Sequence, residues 1–251
     1  MKRLFFVFAA VILLSGHGLK AQNSGFKFSA FKNIVISYPA RIDIVYSPNY
    51  SIEIDDSSSS KVKVLIFEEM DKQGGHSKDL GRYVIEQKDS TLYIKKKADI
   101  STDFGRIRIV IKTPVINKIK IETATSVSIS GKFNLNQLNI DVEGASNIKL
   151  TGDPVIRKLS VKNEGASYMY IDLKHSIEHA DFDIEGASYV SALSTPIRKV
   201  IAKVEGASIC KIYPTEELNV RVEGMSYLLY KGNPPRQHIN SEGLSIIKQV
   251  D

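Results

Sequence analysis

A four-residue phrase, Glu-Gly-Ala-Ser, recurs through the second half of this chain at nearly constant spacing. It begins at Glu143, Glu164, Glu185 and Glu205. Looser copies follow at Glu223-Gly224-Met225-Ser226 and Glu242-Gly243-Leu244-Ser245, and a degenerate one, Glu122-Thr123-Ala124-Thr125, precedes them. From Glu to Glu the steps are 21, 21, 21, 20, 18 and 19 residues. A period near 20 between β-rich flanks is the pattern of a coiled solenoid, in which each repeat makes one wrap and contacts only its neighbours. The expected fold is all-β: a right-handed parallel β-helix with about seven regular coils, stacked about 4.8 Å apart.

Side-chain alternation then separates the inside from the outside. In one coil Leu138, Ile140, Val142, Gly144, Ser146, Ile148 and Leu150 share a parity, and the later coils repeat the pattern. Apolar residues fall on the side of the phrase's Gly and Ser, so these two are expected to face inward and Glu and Ala outward. Residues 22–115 also alternate at period two, for example Arg41-Ile42-Asp43-Ile44-Val45 and Arg106-Ile107-Arg108-Ile109-Val110, but their repeats are blurred. This part reads either as irregular early coils of the solenoid or as a β-sandwich leaning on it. The regular coils occupy residues 116–251. No stretch keeps a helical period.

The first 21 residues have the layout of an export signal. A basic Met1-Lys2-Arg3 start precedes an apolar run from Leu4 to Leu14, then a short stretch ending in Ala21. The run is shorter than the roughly 20 residues that a membrane span needs. The expectation is an exported protein, in the periplasm or at the cell surface, with no stable membrane insertion after cleavage. The formal charge of +6 falls to +3 without that segment and is spread along the chain, which gives no case for nucleic acid. Cys210 is the sole cysteine, so no intrachain disulfide is available.

Three constellations are candidates for chemistry. The Glu column, Glu122 through Glu242, offers the stacked oxygens that calcium takes. Lys120, Lys162, Lys203 and Arg221, each two positions before a glutamate, point instead to a charge-balanced face, so no metal or other cofactor is expected. The repeated Gly-Ala-Ser lacks the glycine that a nucleophile elbow carries after its serine, and parity buries the serines, so no catalytic residue is expected. His175 and His179, with Glu178, would need a helix to share a metal and read as an exposed loop. The third constellation is an outward strip assembled by stacking: Tyr168, Tyr170, Tyr189, Ile209, Tyr227, Leu229 and Ile246. An exposed apolar strip marks contact with something, and aromatic rings suit sugars or proteins. The competing reading is that the N-terminal half or a second copy covers it.

These repeats, behind a signal segment and the lead-in from Phe31-Lys32-Asn33-Ile34 to Ile44, resemble the putative auto-transporter adhesin, head GIN domain family of exported proteins from Bacteroidetes-type bacteria. The resemblance spans about residues 26–250 and implies a β-helix-like fold and an exported location. It brings no catalytic residues. The expected function is a non-catalytic adhesion or surface-interaction module that presents the tyrosine strip, or its loops, to a glycan or a protein of the cell envelope. The alternatives are a polysaccharide lyase or hydrolase, and a periplasmic scaffold.

Overall fold

A computed structural model describes residues 30–56, 63–66, 76–79, 83–97 and 107–250. The expected leader, the strand start Lys61-Val62 and the turn runs at 57–60 and 73–75 lie outside the described residues. Period-two sequence gives strands throughout, and no helix occurs among the described residues.

The first half supplies β1 (Asn33–Ser37), β2 (Arg41–Tyr46), β3 (Ser51–Asp56), β4 (Lys63–Ile66), β5 (His76–Asp79), β6 (Tyr83–Lys88), β7 (Thr91–Lys96) and β8 (Ile107–Thr113). The regular part begins with β9 (Lys118–Ile121) and β10 (Ser126–Ser130), then β11 (Asn134–Gly144) and β12 (Asn147–Gly152), and β13 (Val155–Gly165) and β14 (Tyr168–Leu173). It continues with β15 (Ile177–Ile184) and β16 (Tyr189–Ser191), β17 (Ile197–Val204) and β18 (Ile209–Ile212), β19 (Pro214–Val222) and β20 (Tyr227–Lys231), and β21 (Arg236–Ser241) and β22 (Ile246–Val250).

Odd-numbered strands from β9 to β21 stack in one parallel sheet and even-numbered strands from β10 to β22 in a second. The seven coils expected from the repeats are thus seven strand pairs, joined by six stacking steps. Each sheet holds 11 strands, and their inner faces share one core of isoleucine, valine and leucine. We call these the odd sheet and the even sheet.

The first half is neither a separate sandwich nor a plain run of early coils. β1 lies between β7 and β9 in the odd sheet, and β2 between β8 and β10 in the even sheet, all four pairings parallel. Beyond them both sheets end in antiparallel strands: β6 and β5 on β7, and β3 and β4 on β8. The first two strands of the chain therefore form an inner rung of the stack.

The repeated phrase occupies the corner between the sheets. Its serines from Ser146 to Ser226 are buried, with Ser245 on the last rung half-buried, and its alanines are exposed, as parity requires, but its glycines are exposed rather than inward. Parity treats the phrase as straight strand, whereas the backbone turns there with φ between +74° and +102° from Gly144 to Gly243. At Gly165 an added Cβ would also stand 2.7 Å from the carbonyl oxygen of Gly144 on the rung before. Glycine is required by the turn and by that close approach.

The serine next door clips the rungs together. Ser167 Oγ donates to the Gly144 carbonyl at 2.7 Å and accepts the Ser146 N–H at 3.2 Å. Ser188 and Ser208 repeat both bonds one rung on. Each hydroxyl satisfies a corner N–H that would otherwise be left unbonded, at a cost of about 1–3 kcal/mol.

Candidate functional site

Register decides whether the residues of the strip meet. Along the even sheet Asn147, Tyr168, Tyr189, Ile209, Tyr227 and Ile246 are successive partners, one per rung. The second column runs Lys149, Tyr170, Ser191, Lys211, Leu229 and Lys248. All seven residues singled out in the sequence thus lie on one outer face. Tyr168, Tyr227 and Ile246 are exposed, and Tyr170, Tyr189, Ile209 and Leu229 are half-buried. Ser191 is buried and interrupts the second column. The described N-terminal strands extend this sheet beyond β10 and do not lie across the strip.

Parallel in-register stacking also fixes how the rings are presented. Tyr168 and Tyr189 lie face to face, centroids 4.8 Å apart and 2° from parallel. The Lys211 ammonium sits 5.1 Å from the Tyr189 centroid. The faces of Tyr189 are therefore occupied by Tyr168 and by Lys211, which comes from the next rung and the second column. Lys149 and Lys248, at either end of the second column, have no carboxylate partner among the described residues.

The odd sheet treats its charges differently. Lys120 reaches both Glu122 and Glu143, at 2.9 and 3.1 Å. Lys162 meets Glu164, Lys203 meets Glu185 and Glu205, and Arg221 meets Glu223 and Glu242. Every glutamate of the column has a basic partner. The Ser37 hydroxyl bond and Lys120 together hold the Glu122 carboxyl below its usual range. Exposed pairs of this kind add little to stability, because water screens them. Four bases shared among seven glutamates offset part of the repulsion in the column that the sequence offered as a calcium ladder.

The buried serines have their hydroxyls committed to the corner clips, which fits structural groups rather than nucleophiles. Burial pushes the Cys210 thiol up to about 12, so it holds its proton at neutral pH. The His175–His179 segment corrects the loop reading in part: His179 lies on β15, facing out, and only His175 is in the preceding turn.

One feature of the odd sheet escaped the alternation argument. Four strands carry two consecutive outward residues between inward ones, Asn136-Gln137, Arg157-Lys158, Glu178-His179 and Arg198-Lys199, and β19 carries three, Thr215-Glu216-Glu217. Strict alternation forbids this, so the strands bend there, and the β17–β19 register slips at that point. Beside the bend runs a hollow of about 490 Å³ that spans β11 to β19. A second of about 370 Å³ adjoins it, with Gln137 and Asn139 lining both. The signal in the sequence was the recurring polar pair where one polar residue belongs.

The family model for the putative auto-transporter adhesin, head GIN domain, matches residues 30–234. The chain belongs to this family. Solved structures similar to this head GIN domain include a protein of Bacteroides fragilis described as a putative adhesin, at 19% identity and a TM-score of 0.68, over 90% of this chain and 94% of that one. A protein of Parabacteroides distasonis described as lipid-binding has 16% identity and a TM-score of 0.64, over 90% and 95%. A protein of Parabacteroides merdae described as a putative adhesin has 14% and 0.56, over 90% and 94%. At these identities the likeness shows a shared fold. No curated protein sequence matches the chain.

Proposed function

We propose that this head GIN domain is an exported, non-catalytic adhesion module whose even-sheet face binds a protein partner. The observation that carries this reading is the in-register column around Tyr168 and Tyr189, exposed on a stiff sheet. Because Tyr168 and Lys211 cover the faces of Tyr189, that ring offers little to a sugar that needs an open aromatic face. Tyrosine edges, hydroxyls and the neighbouring Ile209, Leu229 and Ile246 suit the packed centre of a protein interface. Unpaired Lys149 and Lys248 favour a partner with an acidic rim. The adhesin descriptions of the family and its structural neighbours support the same class of function. A non-catalytic role is further supported by a glutamate column matched with bases and by serines held in backbone bonds.

Beads coated with the mature protein can be tested for adherence to fixed bacterial cells and to a panel of purified extracellular matrix proteins. Tyr168→Ala with Tyr189→Ala is expected to reduce adherence at least tenfold without lowering the melting temperature, and added salt is expected to slow association. Adherence unchanged by the double substitution overturns the assignment. Self-association of the wild-type chain that the double variant abolishes would give the face to a second copy instead.

A further inference from the structure

The hollow on the odd sheet lies on the outer face away from the tyrosine strip, and its side chains differ in kind. Gln137, Asn139, Ser160, Asp181 and Lys158 line it, with Ile201 among them. Ser160, Asp181 and Ile201 are ladder partners on successive rungs, as are Asn139 and Ser160. Amides and hydroxyls here both donate and accept, which matches a ligand rich in hydroxyl groups. Ile201 is 56% exposed between its polar ladder partners Asp181 and Asn219, where the C–H side of a ring could rest.

The local charges narrow the ligand further. Lys158 and Asp181 have no ion-pair partner among the described residues and balance each other in number, while Lys199 and Glu217 pair at 3.5 Å. Partial burial, with Asp183 two residues on, raises the Asp181 carboxyl above its usual range. One oxygen of Asp183 is buried without a hydrogen-bond partner among the described residues. With Lys158 set against Asp181 and Lys199 against Glu217, the charges lining the hollow cancel and favour neither a polyanion nor a polycation. The hollow crosses five rungs about 4.8 Å apart, so equivalent groups recur along it at a constant step. A polymer of repeating units fits such a surface better than a compact metabolite does.

We propose that this hollow binds a neutral oligosaccharide lying along the stack, with Asn139, Ser160 and Asp181 bonding its hydroxyls and Ile201 beneath a ring. Binding leaves the chain uncleaved, and it is independent of the tyrosine face.

The test is calorimetric titration with neutral hexose and pentose oligomers of two to eight units, with oligogalacturonates as the acidic comparison. Neutral oligomers are expected to bind, more tightly as length grows to about the number of rungs spanned. Asp181→Ala and Asn139→Ala should each weaken binding at least tenfold, and Tyr168→Ala with Tyr189→Ala should leave it unchanged. Circular dichroism confirms that each variant is folded, and two independent substitutions guard against one that is not. The proposal fails if no neutral oligomer binds more tightly than about 1 mM. It also fails if oligogalacturonates bind better, if both groove variants bind like wild type, or if mass spectrometry finds the oligomers cleaved. None of these results bears on adherence through the tyrosine strip.

Discussion

Gly165 and Gly144 are the same residue of the same repeat on adjacent rungs, with φ of +102° and +92°. They differ in what an added methyl group would meet. At Gly165 it would lie 2.7 Å from a carbonyl oxygen, whereas at Gly144 the nearest atom is 3.9 Å away, in Thr123. Both alanine substitutions incur left-handed backbone strain of about 1–2 kcal/mol. Gly165→Ala should lose about 1–3 kcal/mol more, because the neighbouring rung must move. Urea unfolding of the two variants checks this, and equal losses would mean that the clash relaxes freely. The same residues mark the limit of parity as a reading tool. Alternation placed Ser146, Ser167 and Ser188 inside correctly, because the hydroxyl positions survive the corner. It misplaced the glycines, since period two contains no information about φ.

Neighbouring ladders on the odd sheet show how much strand pairing can balance. Lys162, Asp183 and Lys203 are successive partners, so the middle carboxylate has a base on each side. One column over, Asp181 stands between Ser160 and Ile201 and has none. Its folded-state carboxyl, raised from 3.8, favours the protonated form. The resulting stability is fully present below the unfolded value and is lost as pH rises through the folded one. Asp181→Asn is therefore expected to raise the melting temperature near pH 7, with a gain that fades below about pH 3.8. Thermal melts across that range decide it, and a variant less stable at neutral pH would refute the account. The charge-balanced ladders could be read from the sequence, because Lys and Glu recur at a fixed offset. The hollow could not be read the same way. The bend that positions it depends on a slip in alternation, and the alternation argument absorbs such a slip as noise.

At the scale of the whole molecule, the two ends of the chain hold different places in the stack. Among the described strands the last pair, β21 and β22, is hydrogen-bonded to β19 and β20 alone. The first pair, β1 and β2, holds β7 and β8 to β9 and β10. Nearest-neighbour stability then predicts unequal results from removing one rung at either end. A chain lacking residues 236–250 should still melt in one cooperative step at a somewhat lower temperature. A chain lacking residues 33–46 should lose that single step, because the blocks on either side no longer touch. Scanning calorimetry separates these outcomes, and equal effects would contradict the topology. The seven coils were legible because their repeats fall in chain order. The intercalated rung was not, since alternation in Arg41–Val45 shows a strand without naming its partners.

That rung also orders events in time. As a nascent or translocating chain emerges, Asn33–Tyr46 comes first, yet both its flanking partners arrive only with Thr91–Thr113 and Lys118–Ser130. Close to half of the polypeptide must be available before this seed can assemble, and such distant pairings form slowly. The later wraps can then add one at a time, as thread winds onto a spool already in place.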